Sequence, residues 1–318
     1  MKKTITLLFF LICQFIFSQD KNYSEWYLQR EDVQIFVKEI GNGKDTLIVL
    51  HGGFGANHDY MIDAVKGLGK KYRIFLYDQR GSLLSPTKKE NLTFQKNVDD
   101  LKALISALKL KKVKLLCHSM GTLVGMEFTK QNPQLVSHII LSGTIPPKSD
   151  SLKNVFSERY ENQIDFLVNR KEVLELIKPF KDKGLEYLKT IEDIDSSVLS
   201  HKDLTNYWRI NFAAPNLFNV KKYNQLKGGR AYYNESCSIM AETVNWKFDY
   251  REVLNSKVKT TIINGDYDFF DFNGSVLGKL LIDFKNIELK IIENAGHNCW
   301  IDQPTTFRRL VLNALKSR

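Results

Sequence analysis

The chain is poor in the residues that build specialised scaffolds. It has four cysteines in 318 residues, and one of them, Cys13, lies in an apolar leader. The other three, Cys117, Cys237 and Cys299, are an odd number, which excludes a fully paired disulfide framework. Their spacing matches no zinc-ligand pattern, so no metal site is expected. Seven prolines form no linker, and no tandem repeat or low-complexity tract is present, so the chain is not a string of modules. A long basic run is missing as well. The 46 Lys and Arg are interleaved with 36 Asp and Glu, and the net charge of +10 falls to +8 without Lys2 and Lys3. That is a solvated surface, and it argues against a nucleic-acid partner. Past the leader, no apolar run is long enough to cross a bilayer.

What is present begins with that leader. Met1-Lys2-Lys3-Thr4 precedes an apolar stretch from Ile5 to Phe17 and then Ser18-Gln19. A charged start, a short apolar core and a small residue at the junction predict a secretory signal over residues 1–18, removed to leave a periplasmic or secreted protein with no stable membrane insertion. Phe10-Leu11-Ile12 lacks the small residue expected beside a lipidated Cys13.

Hydrophobic residues make up 43% of the chain and charged residues 26%, enough for a sizeable core. Val33, Ile35 and Val37 alternate as in a half-buried strand, while Thr46–Leu50, Arg73–Tyr77, Val113–Leu116 and His138–Leu141 read as buried strands. Tyr60, Met61, Ala64, Val65 and Leu68 mark one helix face, and Phe94, Val98, Leu101, Leu104, Ile105 and Leu108 mark another, capped by Thr93 or Asn91. A third helix is expected over Thr122–Lys130. Strands alternating with helices predict an α/β fold around a mostly parallel sheet. The rhythm stops after Thr144 and returns with Val258–Ile263, Ile287–Ile292 and a last helix carrying Phe307, Leu310, Val311 and Ala314. The expected organisation is a core over residues 19–147, a mainly helical insertion over 148–255, and the rest of the core over 256–318.

Four short motifs follow expected strands. His51-Gly52-Gly53-Phe54-Gly55 is either a plain glycine turn or a loop that aims backbone N–H groups at an oxyanion. Cys117-His118-Ser119-Met120-Gly121 has the form of a nucleophile elbow, a sharp strand-to-helix turn that lifts a serine hydroxyl clear of the sheet. Gly265-Asp266-Tyr267-Asp268 offers two carboxylates, either of which alone reads as turn chemistry. Gly296-His297 supplies a histidine that alone reads as a surface residue. The order serine, carboxylate, histidine is that of α/β-type hydrolases.

Together with Tyr77-Asp78-Gln79-Arg80-Gly81-Ser82, these motifs resemble the α/β-hydrolase superfamily, and within it the prolyl iminopeptidase-like branch. That branch shows HGGPG, then DQRG, then the elbow. Phe54 stands here in place of the proline and Cys117 in place of the first elbow glycine. The resemblance implies the α/β-hydrolase fold, with helices on both faces of the sheet and an inserted helical cap. It implies Ser119 as nucleophile, His297 as base and then acid, and Asp268 rather than Asp266 as the orienting carboxylate, with Asp266 shaping its turn. The backbone N–H groups of Gly53 and Met120 would stabilise the oxyanion. Asp78 and Arg80 read as a structural loop beside the glycine turn. The implied activity is a serine hydrolase working through an acyl-enzyme without cofactor. An aminopeptidase on short peptides leads, a small-molecule esterase or amidase is the alternative, and a ligand-binding receptor with slow turnover is a second. An aminopeptidase must hold a buried ammonium, and Glu235 and Glu242, near Tyr232 and Tyr233, are the candidates.

Overall fold

A computed structural model describes residues 23–183, 200–226 and 234–316. The expected signal segment, Tyr232 and Tyr233 lie outside the described residues. Eight strands form one sheet in the order β1-β2-β4-β3-β5-β6-β9-β10. They are β1 (Tyr23–Gln29), β2 (Gln34–Ile40), β3 (Asp45–Leu50), β4 (Tyr72–Tyr77), β5 (Val113–His118), β6 (Val136–Ser142), β9 (Lys259–Gly265) and β10 (Ile287–Ile292). Only the β1–β2 and β2–β4 pairings are antiparallel. From β4 to β10 every pairing is parallel.

The central strands are continuous apolar runs because both of their faces are covered. Ile48 and Leu50 of β3 pack with Phe94, Val98, Leu101 and Leu104 of α1 (Phe94–Ala107) and Leu123 and Phe128 of α2 (Met120–Gln131). Leu47 and Val49 of the same strand point into the opposite layer, built with Met61, Ala64 and Leu68 and with Phe307 and Val311 of the terminal helix Pro304–Lys316. Side chains alternate across the sheet, so one apolar run feeds two cores. Thr93 caps α1, its hydroxyl accepting the Lys96 N–H at 3.3 Å.

The helix expected over Tyr60–Leu68 is instead three 3₁₀ turns, His58–Met61, Asp63–Val65 and Leu68–Lys70. Gly67 between the last two is left-handed at φ 84, which stops α-helical propagation.

Between β6 and β9 the chain makes an insertion. It contains α3 (Glu158–Val168), α4 (Lys171–Lys181), α5 (His201–Asn216) and α6 (Asn234–Glu242). Its two ends are joined by a small antiparallel ribbon, β7 (Lys148–Ser149) with β8 (Phe248–Asp249). The Tyr250 N–H adds a bond to the Pro147 carbonyl at 2.9 Å.

Candidate active site

The loops after β3, β5, β9 and β10 gather at the carboxyl ends of the parallel strands, where open α/β sheets bind ligands. Ser119 follows β5 and caps α2 with φ 53 and ψ −130, a conformation few non-glycine residues adopt. Strain of this kind persists only where the surroundings enforce it. Here they do. A methyl carbon added at Gly121 would lie 2.3 Å from the His51 carbonyl oxygen, and one added at Gly52 would lie 2.5 Å from Ser119 Cβ. The elbow and the glycine loop are therefore in direct contact. Cys117 fits where a glycine is usual because α2 opposes it with Gly125, whose missing methyl would sit 2.5 Å from the Cys117 sulfur.

His297 is 2% exposed. Its Nδ1 is 3.0 Å from Asp268 Oδ2, and the other Asp268 oxygen accepts the Phe270 N–H at 2.9 Å. A buried carboxylate held this way fixes the imidazole ring and leaves Nε2 to do chemistry. Asp266 does something else: its two oxygens accept the N–H groups of Asn294 and Ala295, each at 3.0 Å, and so shape the turn before His297. Phe269 and Phe270 flank the imidazole at centroid distances of 4.2 and 5.6 Å. Behind the His297 loop, buried Asp302 accepts N–H groups from Gly296, Phe218 and Asn219, tying that loop to the end of α5. Burial raises its pKa, against those three bonds. Among the described residues no hydrogen bond joins the Ser119 hydroxyl to His297.

The glycine loop is held by a ring of polar side chains. The His51 Nδ1–H donates to the Gly52 carbonyl at 2.9 Å, and its Nε2 accepts the Gln79 N–H at 3.0 Å. The Gln79 side-chain amide donates to the His51 carbonyl at 2.6 Å. Burial holds the His51 pKa down, which suits the neutral form these bonds need. Asp78 accepts the backbone and ring N–H groups of His58 at 2.7 and 2.8 Å. Arg80 is 1% exposed and spends its guanidinium on Asp100, Asp32 and the Asn91 carbonyl. Asp78 and Arg80 are thus structural supports. Phe54 has φ 41 and is fully buried, edge-on to Phe94. A proline ring cannot adopt a positive φ, so this loop takes a path closed to an HGGPG sequence.

Comparison with known proteins decides the family. The family model of the alpha/beta hydrolase fold matches residues 45–304.

The chain belongs to the alpha/beta hydrolase fold family.

This alpha/beta hydrolase is 26% identical over 265 residues to a proline iminopeptidase of Pestalotiopsis fici, covering 81% of this chain and 86% of that protein. It is 25% identical over 299 residues to a 2-hydroxy-6-oxononadienedioate/2-hydroxy-6-oxononatrienedioate hydrolase of Pseudomonas putida, covering 90% and 92%. Among solved structures, a proline iminopeptidase-related protein from Thermus thermophilus superposes with a TM-score of 0.64 at 18% identity, covering 92% of this chain and 97% of that one. A thermophilic esterase from Thermogutta terrifontis gives 0.62 at 18% identity, covering 92% and 98%.

The structure brings Asp268 to His297 and sets Ser119 against the Gly52–Gly53 loop, with Met120 opening α2. It does not bring Glu235 or Glu242 to them. Glu235 is 67% exposed and ion-paired with Lys89, and Glu242 is exposed at the end of α6. In this alpha/beta hydrolase the sequence reading missed Tyr60, His118, Phe269 and Asp302. His118 stood in the elbow beside Ser119, but nothing in the chain named its partners. Among the described residues, Cys117 and Cys299 are buried and form no disulfide. Burial raises the pKa of Cys117 and Cys299, so neither is a thiolate competing with Ser119. Among the described residues there is no cluster fit to hold a metal ion and no helix long and apolar enough to cross a membrane.

Proposed function

We propose that the protein is a serine hydrolase acting through an acyl-enzyme on a small carboxylic ester or amide. The observation that carries the reading is the strained Ser119 elbow among the same strand-end loops as a buried, carboxylate-oriented histidine. In the proposed cycle His297 Nε2 takes the Ser119 proton as the oxygen attacks the substrate carbonyl. The resulting oxyanion is met by the Met120 N–H, which as the first helical N–H of α2 has no acceptor within the helix. We assign the second donor to Gly53, whose peptide plane is set by the His51 ring through the Gly52 carbonyl. His297 returns the proton to the leaving group, and water then releases the acyl group by the same route. Asp268 orients the imidazole throughout.

Two observations bear on substrate. Glu235 is exposed and paired with Lys89, and Glu242 is exposed, so neither of these two candidates offers a buried carboxylate to a free ammonium, which favours an uncharged ester or amide. The HGGFG and DQRG segments and the proline iminopeptidase relative support a second reading, an aminopeptidase on short peptides. We further propose export directed by the N-terminal leader, to the periplasm or the medium. The deciding experiment assays the purified mature protein on N-blocked p-nitrophenyl esters and on free-amine aminoacyl amides side by side. Faster turnover of the esters is expected. A preference for the free amines would establish the aminopeptidase, and covalent labelling by a fluorophosphonate without turnover of any substrate would mark a receptor.

A further inference from the structure

Tyr60 and His118 lie beside the triad residues but carry out none of the steps above. The Tyr60 hydroxyl is 2.5 Å from the Gly52 N–H and 2.8 Å from His118 Nδ1. The other His118 nitrogen, Nε2, is 3.2 Å from the His297 carbonyl oxygen. The protons in this chain have one consistent arrangement. A carbonyl only accepts, so Nε2 carries the hydrogen. Burial, and next the neighbouring His297, hold the His118 pKa well below its ordinary value, so the ring has one N–H and Nδ1 is bare. The tyrosine therefore donates to Nδ1 and accepts from Gly52. Every group is used once: Gly52 N–H to Tyr60, Tyr60 O–H to His118, His118 N–H to the His297 carbonyl.

We infer that Tyr60 and His118 are positioning residues that lock the oxyanion loop, the elbow and the His297 loop into one frame. The effect on the oxyanion loop is geometric. The His51 carbonyl is held by Gln79, the Gly52 N–H by Tyr60, and the Gly52 carbonyl by the His51 ring. Both peptide planes flanking Gly52 are thereby fixed, and the Gly53 N–H must point away from the carbonyl across the second plane. The same link reaches the His297 backbone, so the donor and the base move together or not at all. Packing closes the frame: the His118 ring lies 4.5 Å from His297 and 4.7 Å from Trp300, with Tyr60 at 6.0 Å from Trp300. A frame of this kind acts on the transition state and leaves substrate binding alone.

The inference rests on the serine hydrolase reading, and the test separates the two. Fluorophosphonate labelling of Ser119 needs no known substrate, and its rate reports the same oxyanion geometry. Wild type that folds but does not label overturns the hydrolase reading. If wild type labels, Tyr60→Phe should label about 10- to 100-fold more slowly, and kcat on a p-nitrophenyl ester should fall by the same factor with KM within about twofold. His118→Gln keeps a donor toward His297 but carries its acceptor oxygen on the same terminal carbon, away from the Nδ1 position that Tyr60 reaches. It should show a loss of the same kind, and it carries the test alone if Tyr60→Phe fails to fold. Because both changes cut one link, the double variant should be no slower than the slower single by more than about threefold. Wild-type labelling rates in both variants, a loss confined to KM, or losses that multiply would overturn the inference.

Discussion

Asp266 and Asp268 are two residues apart and do different work, and substitution should separate them. Asp268→Asn removes the charge that orients and stabilises the His297 ring, and turnover should fall about 10⁴-fold while the melting curve stays cooperative. Asp266→Asn weakens two bonds to the Asn294–Ala295 backbone, so it should cost about 1 kcal/mol of stability and leave turnover within about threefold. Equal loss of turnover in the two variants would mean that the turn, and not the charge on Asp268, governs the histidine. Phe54 gives a second residue-level expectation. Restoring the proline that the resembling family carries forces φ from +41 toward about −65 and removes a buried ring, so Phe54→Pro should destabilise by at least about 3 kcal/mol. A higher melting temperature for this variant would contradict the loop conformation described. The sequence singles out Ser119, Asp268 and His297 as candidates because each motif follows a strand. The Tyr60–His118 link could not, because it joins residues 58 positions apart through a hydrogen bond that no local pattern encodes.

At the level of elements, strand identity was visible wherever a strand was buried on both faces, as in Thr46–Leu50 and Val113–Leu116. The edge strand β1 was not, since Tyr23–Gln29 is largely exposed and polar, with no apolar run to announce it. The 3₁₀ turns at 58–70 imitate a helix face because they bury Met61, Ala64, Val65 and Leu68 at nearly helical spacing, and only Gly67 betrays the break. The contact between β5 and α2 is equally hidden: Cys117 and Gly125 are a compensating pair, large where a small residue is usual and small where any side chain would press on the Cys117 sulfur. Gly125→Ala should therefore destabilise by about 1–3 kcal/mol despite the better helix propensity of alanine. Adding Cys117→Gly should recover part of that loss, and denaturant melts of the two singles and the double measure the coupling. Simple additivity would show that the two positions do not press on each other.

The whole molecule carries a dependence on acid that its buried histidines predict. His51, His118 and His138 are each at most 2% exposed, and burial lowers the pKa of all three. For His138, burial and then Lys259 and Lys114 bring the value to about 4 against 6.5. A histidine depressed in the folded state gives its full stabilisation above pH 6.5. As pH falls toward 4 the unfolded chain takes up a proton that the folded one refuses, at about 1.4 kcal/mol per pH unit. His138→Gln should thus flatten the loss of stability between pH 7 and pH 5 by about 2 kcal/mol. Buried Asp100 and Asp302, whose pKa values are raised, act in the opposite sense, so the variant is the cleaner measure than wild type alone. An unchanged difference between the two pH values would mean that His138 takes up its proton as readily in the folded protein as in the unfolded chain.

One further consequence concerns the two-residue ribbon between Lys148–Ser149 and Phe248–Asp249. It brings the entry and exit of the helical insertion to the spacing of neighbouring strands, about 5 Å. The sheet is then indifferent to what lies between those ends, because closing a longer or shorter segment across a fixed gap changes the entropy only logarithmically. In evolutionary terms the ribbon is a splice point. A lineage can lengthen or trim the segment between those ends without shifting the register of a core strand, provided it keeps the end of α5 that Asp302 ties to the His297 loop.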